Sequence, residues 1–272
     1  MERGVDWDRT VVVVDVETTG LSPRYGDRVV EVGLLRSESG AVTTFQSLVN
    51  PRRMISPGAS AVHGITQAMV DAAPPFAEVA PRIWPFLDGA VLVAHNAPFD
   101  LSFLNAERAY LGIPPLANRV IDTLALARRY FQFPRNSLGL IAESLGIPAP
   151  VQHRALADVE ITLRVLGRFV EELRPRGITS LESLCAPATS VFDSDEVVSL
   201  PPPIAEALAA RSRLQLRYLS SQGIETVREV EPMEVIPQGD YLYLRAFCHL
   251  RGDERTFRLD RILEMLTTGE GC

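Results

Sequence analysis

Two carboxylates stand two residues apart at the end of an apolar run: Val11-Val12-Val13-Val14 leads into Asp15, Val16 and Glu17. Side chains at i and i+2 of a strand point the same way, so the pair converges on one face. Adjacent carboxylates repel and desolvate each other unless positive charge sits between them. A divalent cation is the natural answer, since Mg²⁺ favours one or two carboxylates plus waters and substrate phosphates. Two more acids lie near histidines further along. His95-Asn96-Ala97-Pro98-Phe99-Asp100 places Asp100 in the first turn of an expected helix. The helix dipole alone would favour an acid there by about 0.3–1 kcal/mol, so Asp100 by itself fits a structural role equally well. His153-Arg154-Ala155-Leu156-Ala157-Asp158 sets His153 just ahead of a long helix and Asp158 about one turn inside it, where capping is the ordinary role.

The elements that must hold these residues read as alternating strands and helices over residues 10–175. Strands are expected at Thr10–Val16, Arg28–Ser37 and Ala41–Val49, the last two joined by a hairpin turn at Ser37-Glu38-Ser39-Gly40. A helix is expected over Pro75–Leu87, a buried strand at Ala90–Ala94 and a helix at Pro98–Leu111. A short strand at Val120–Asp122 precedes helices at Thr123–Tyr130 and Ser137–Leu145. The clearest helix is Ala155–Leu173, where Leu156, Val159, Leu163, Leu166, Val170 and Leu173 make one apolar stripe. Three hairpin-like strands followed by βα units imply an α/β fold, a mixed sheet with flanking helices.

The ordered set Asp15-x-Glu17, His95-Asn96 with Asp100, then His153 and Asp158 resembles the DEDDh 3′–5′ exonucleases, a group that includes the proofreading epsilon subunit of bacterial DNA polymerase III. Ala61-Val62-His63-Gly64-Ile65-Thr66 is similar to a segment of the epsilon-like branch. The resemblance covers roughly residues 8–173 and implies a ribonuclease H-like fold with a mixed five-stranded sheet. It implies two Mg²⁺ or Mn²⁺ ions per active site, with Asp15 bridging both, Glu17 and Asp158 on the first, and Asp100 positioning the second. It further implies that His153 acts as general base, that Thr18 and Thr19 contact the 3′ end, and that Leu21, Asn96 and Phe99 line the pocket of the terminal nucleotide. The alternative for Leu21 and Phe99 is an ordinary core role, and His63 either borders the site or caps the helix after Gly64.

Cys185–Pro203 is rich in Ala, Pro, Ser and acids and reads as a linker. Beyond it, a short helix at Ile204–Arg211 and strands at Leu214–Leu219, Glu225–Glu231, Tyr241–Cys248 and Thr256–Leu259 suggest a small barrel or sandwich. Leu216-Arg217-Tyr218, Arg228-Glu229-Val230-Glu231-Pro232, Tyr241-Leu242-Tyr243-Leu244 and Thr256-Phe257-Arg258-Leu259-Asp260-Arg261-Ile262 resemble the WYL domain, with Asp240 where that family has its Trp. That resemblance implies an Sm-like β-barrel that senses nucleic acid or a nucleotide, with Arg228, Tyr241, Arg245 and Arg258 as candidate ligand contacts. Arginine forks beside aromatic faces suit phosphate and base stacking, although residues 199–272 hold nine arginines against eleven acids. The expected domains are thus 8–175 for the exonuclease, 176–203 for the linker and 204–266 for the WYL domain.

Composition narrows the function. The 272 residues carry a formal charge of −7, unlike a protein that coats nucleic acid non-specifically. All 27 basic residues are arginine, which excludes Schiff-base and P-loop lysine chemistry. Three widely spaced cysteines argue against disulfides or structural zinc. No apolar run nears the roughly 20 residues of a membrane span, and Met1–Arg9 lacks a signal-peptide core, so a cytoplasmic protein is expected. The expected activity is hydrolysis of single-stranded nucleic acid from the 3′ end to nucleoside 5′-monophosphates, DNA favoured over RNA, by a monomer or homodimer. A catalytically weak nucleic-acid or nucleotide sensor, and a polymerase-associated proofreading subunit, are the alternatives.

Overall fold

The computed structural model describes residues 9–149, 153–187, 200–239 and 241–267. The chain divides into two compact units, one of residues 1–17, 29–52 and 68–196, the other of residues 18–28, 53–67 and 197–272.

The first unit is built on a mixed sheet. Strand β1 (Val11–Thr18) pairs in parallel with β4 (Val91–Ala94), and β4 with β5 (Arg119–Asp122). On the other side stand β2 (Val29–Glu38) and β3 (Ala41–Leu48), an antiparallel hairpin whose turn places Ser39 and Gly40 at positive φ. The alternation of β1 sorts its side chains. Val12, Val14 and Val16 enter a core with helices α3 (Phe76–Leu87) and α4 (Ala97–Tyr110). Val11 and Val13 enter the opposite core, with α5 (Thr123–Tyr130), α6 (Leu138–Ser144) and α7 (Ala155–Leu173). By the same period of two, Asp15 and Glu17 belong to the α7 face.

Helix α7 lies close on β2 because Gly33 has no side chain. A Cβ there would stand 2.4 Å from the Ala155 carbonyl carbon and 2.7 Å from the Leu156 nitrogen, both backbone atoms that cannot rotate away.

The expected helices of this unit are present to within a residue or two at each end. Two short helices, α1 (Pro57–His63) and α2 (Gln67–Asp71), were not expected, since each is too brief to show a period. The expected linker from 176 onward begins folded. Leu181–Leu184 forms a 3₁₀ turn whose two leucines are buried in the α7 core, and Ala186–Pro187 (β6) pairs with β5 as a sixth strand. The remainder, residues 188–199, lies outside the described residues.

In the second unit, α8 (Pro202–Ala210) accompanies an antiparallel sheet of order β10-β9-β8-β7-β11. Its strands are β7 (Leu214–Leu219), β8 (Glu225–Gln238), β9 (Tyr241–Cys248), β10 (Asp253–Arg258) and β11 (Ile262–Thr267). Strand β8 runs seven residues past its expected end at Glu231, with a break in register between Pro232 and Glu234 that accommodates the first proline. Strand β11 was not expected; its Ile-Leu-Glu-Met-Leu spacing suits a helix turn as well as a strand. Segment 18–28 joins this unit through Leu21 and Tyr25, which pack on a core including Ile204, Leu216 and Phe257. Segment 53–67 joins it at α1, where a Cβ on Gly58 would lie 2.7 Å from the Ile262 carbonyl oxygen.

Replacing Gly33 by alanine forces α7 off β2. Overpacking of this kind costs about 1–3 kcal/mol, so G33A is expected to lower the urea midpoint by a corresponding amount; an unchanged midpoint would remove Gly33 as the seat of α7.

Candidate metal centre and active site

Strand β1 delivers Asp15 and Glu17, and the first turn of α7 delivers Asp158. Carboxylate oxygens of these three lie within 4.8 Å of one another, the arrangement of a metal-binding cluster. Asp100, in the first turn of α4, sits outside that triad but beside it: its Oδ1 accepts a 3.0 Å hydrogen bond from the Val16 backbone N–H, between the two β1 acids. Both helices are entered through a left-handed residue, Asn96 at φ 74° and His153 at φ 59°. Asn and His are among the residues that tolerate this conformation, which here turns the chain sharply enough to start a helix with its fourth residue at the site. The His153 backbone N–H donates to Asp158 Oδ2 at 2.8 Å, tying the turn to the acid it precedes.

The burial of so much negative charge is reflected in every carboxyl. Desolvation, then the charges of Asp100, Glu17, Asp158 and Glu31, hold the Asp15 carboxyl far above the usual range. Glu17 is raised by burial and then by Asp158, Glu31 and Asp100. Burial pushes Asp100 up to about 8 against the hydrogen bond from Val16, and raises Asp158 as well. Such groups either keep their protons or take a cation. The donor set is all carboxylate oxygen, which suits Mg²⁺ or Mn²⁺; Asp15, Glu17 and Asp158 therefore fit a divalent metal ion.

Glu31 of β2 is a site residue that sequence reasoning missed. It is buried, yet held by the Arg154 guanidinium (2.7 and 3.1 Å), by the Ala155 N–H at the start of α7 (3.0 Å) and by Gln46 Nε2 (3.0 Å). Its alternation within Val-Val-Glu-Val-Gly resembles any edge of a half-buried strand, so nothing local marks it.

The remaining expected residues fall into three groups. His153 is exposed beside Asp158. His95 is structural: its ring nitrogens meet Thr123 Oγ1 and the Asn136 carbonyl, both at 2.9 Å, and burial lowers its pKa. Asn96 opens α4, its N–H donating to Asp122 Oδ1, and the Phe99 ring lies tilted against Phe103, centroids 5.0 Å apart, while packing on the α4 core.

In the second unit, Thr18 Oγ1 donates to the Gly20 carbonyl, and Thr19 Oγ1 donates to Asp27 while accepting from the Arg28 N–H. Both hydroxyls thus shape their own loop. His63 is buried with Nδ1 accepting from the Ile65 N–H, which leaves Nε2 to donate to the Thr18 carbonyl, so it acts as a brace. A cleft of about 250 Å³ brings together Thr19, Leu21, Arg53, Tyr241, Arg258 and Asp260. There Arg258 lies 3.5 Å over the Tyr241 ring and is held by both oxygens of Asp260. The four WYL candidates do not form one group. Arg245 pairs with Glu234 and Glu254, while Arg228 lines a separate cleft.

A carboxyl whose folded pKa exceeds its unfolded value favours the folded state when protonated, and that stability is lost as pH rises through the folded pKa. Without metal, the melting temperature is therefore expected to fall as pH rises from about 6 to about 9, through the range of Asp100. Mg²⁺ or Mn²⁺ should restore it, with a larger shift at the higher pH because the metal displaces protons. Thermal melts in EDTA and in metal check this; a metal-independent profile would remove the cluster as a cation site.

The sequence matches the Exonuclease family model (RNase_T) over residues 12–166 and the WYL domain over residues 201–266. It is 44% identical over 177 residues to a DNA polymerase III subunit epsilon-like protein of Rhodobacter capsulatus, a match that spans 63% of this chain but a quarter, 25%, of that relative. Among solved structures, it superposes on exonuclease X in complex with 5′-overhanging duplex DNA with a TM-score of 0.51 and 28% identity, covering 64% of this chain and 97% of the other. Exonuclease I of E. coli, in complex with a dT13 oligonucleotide, shares the fold over 88% of this chain and 55% of its own at a TM-score of 0.55 and 19% identity. The model match over more than half of its length shows that the chain belongs to the exonuclease family, and a WYL domain follows the nuclease in sequence.

Proposed function

We propose that the protein is a metal-dependent 3′–5′ exonuclease that removes nucleoside 5′-monophosphates from single-stranded nucleic acid, DNA in preference to RNA, in the cytoplasm. The observation that carries this reading is the triad of Asp15, Glu17 and Asp158 oxygens within 4.8 Å, half-buried to buried, with raised carboxyl pKa values and Asp100 alongside. The DNA preference rests on relatives whose names tie them to DNA: the epsilon-like polymerase III protein and exonuclease X on duplex DNA.

Asp15, Glu17 and Asp158 would hold the first Mg²⁺ or Mn²⁺, and Asp15 with Asp100 the second. When bound, such ions lower the pKa of water and offset charge on the leaving 3′ oxygen. His153 is the base. Its imidazole is exposed, and the hydrogen bond from its backbone to Asp158 fixes where the ring begins. It takes the proton of the attacking water, a role that contributes about 10²–10⁴-fold. By the family resemblance, Thr18, Thr19, Leu21, Asn96 and Phe99 are assigned as contacts to the terminal nucleotide. The cleft of Leu21, Tyr241 and Arg258 gives the WYL domain an aromatic and cationic surface for a nucleotide, through which it would modulate the reaction.

The test is gel analysis of 5′-labelled single-stranded DNA and RNA of one sequence with Mg²⁺, Mn²⁺ or EDTA. A metal-dependent ladder shortening from the 3′ end is expected, faster on DNA. Asp15→Asn should abolish it with an unchanged circular dichroism spectrum, and His153→Ala should slow it by about 10²–10⁴-fold. Wild-type activity in D15N would overturn the assignment.

A further inference from the structure

His153 is held in a conformation it would not keep by itself. Its φ of 59° lies in the left-handed region, which a residue with a side chain leaves unless its surroundings fix it. One anchor is the 2.8 Å hydrogen bond from its backbone N–H to Asp158 Oδ2. The next residue carries the other. Arg154 reaches from the start of α7 to Glu31 of β2, 123 residues earlier, and grips it side-on: Nε donates to Oε2 at 3.1 Å and Nη2 to Oε1 at 2.7 Å. Two planar groups joined by two parallel bonds fix an orientation as well as a distance.

The Glu31 end of that pair is immobile. Its side chain is 1% exposed, and its two oxygens accept four hydrogen bonds, the further donors being the Ala155 N–H and Gln46 Nε2, both at 3.0 Å. The Ala155 bond caps α7 from a distant strand, where the side chain of Arg154 offers no cap of its own. Glu31 and Gly33 stand two apart on β2, on the face against which α7 closes. The Arg154 side chain is 38% exposed, so this half of the pair can be changed without opening the core. The pair thus fixes the residue directly after His153, as Asp158 fixes His153 itself.

The same guanidinium also pulls the Glu17 carboxyl down against the push of burial and the other acids. Two routes to the reaction are therefore open to Arg154, a tether on His153 or a charge on the metal site. The geometry favours the tether: among the described residues its guanidinium makes no hydrogen bond to Glu17, and the bonds it makes go to Glu31.

We infer that Arg154, clamped by Glu31, is a positioning residue for the reaction: it holds His153 in its left-handed turn and so sets where the imidazole meets the attacking water. This rests on the reading of His153 as the base.

The test is a double-mutant cycle in the full chain, on a single-stranded oligonucleotide with Mg²⁺. R154A is expected to lower kcat about tenfold with KM within about twofold. R154K keeps the charge, loses the fork, and should lose about as much. In an H153N background, where Asn tolerates the same φ but supplies no base, R154A should cost less than about twofold, since nothing is left to place. Arg168→Gln, on the exposed side of α7 where Arg168 pairs with Glu171, is the control and should leave kcat unchanged. A readout apart from activity is the ring Cε1–H signal of His153 in the metal-free protein, identified by its absence in H153N. It should shift in R154A and R154K while the signals of His63 and His95 stay in place. Equal losses from R154A in both backgrounds overturn the inference and leave the base reading standing. So does an unmoved His153 signal, an R154K variant with wild-type kcat, or a raised KM with kcat kept, which would make Arg154 a strand contact. Wild-type kcat in H153N would overturn the base reading itself, and the inference with it.

Discussion

The structure depends on the cost of gathering four acids, Asp15, Glu17, Asp100 and Asp158, at one end of a buried strand. Desolvation is the largest cause of the raised pKa at all four, and neighbouring carboxylates add to it. The surrounding fold reads as a set of answers to that repulsion. Two acids sit in the first turns of helices, where the backbone dipole favours negative charge. Asp100 and Asp158 each accept a backbone N–H, from Val16 and from His153. A fifth acid, Glu31, adds its charge to theirs, and is itself held by the Arg154 fork and by the amide that opens α7. What is left over is a negative site whose chemistry suits a divalent cation.

That arrangement makes α7 the element on which the site turns. It contributes Asp158, follows His153, and lies against β2 at the distance that Gly33 permits. A charge problem at β1 is thus solved by packing at β2. Small changes in that packing move the acid as surely as replacing it.

The acids themselves were legible because their spacing is local: two residues in a strand, or the first turn of a helix after a histidine. The helices were legible from their apolar stripes. What could not be read depends on partners far along the chain. Glu31 has meaning only once Arg154, 123 residues later, is beside it. Residues 18–28 and 53–67 lie inside the stretch 8–175 expected for the exonuclease, yet they group with residues 197–272. The hydroxyls of Thr18 and Thr19 looked available for a substrate, but a loop must satisfy its own polar groups, and theirs go to Gly20, Asp27 and Arg28. Arg245 and Arg258 looked like free cations in the text of the chain; their neutralising acids come from cross-strand register and a short turn.

The two-residue strand β6 has a consequence for how the nuclease fold avoids its own kind. Strand β5 is the outermost parallel strand, and Ala186–Pro187 pairs with it along Arg119 and Val120. An exposed sheet border is a template for another chain, and proline is among the residues that blunt it because it offers no N–H. Pro187 sits at that border. The residues that resemble a tether in composition therefore act as a selvedge, finishing the sheet against fraying and self-association. A chain cut at 175, where the apolar stripe of α7 ends, would keep every acid of the metal centre and lose the guard on its flank.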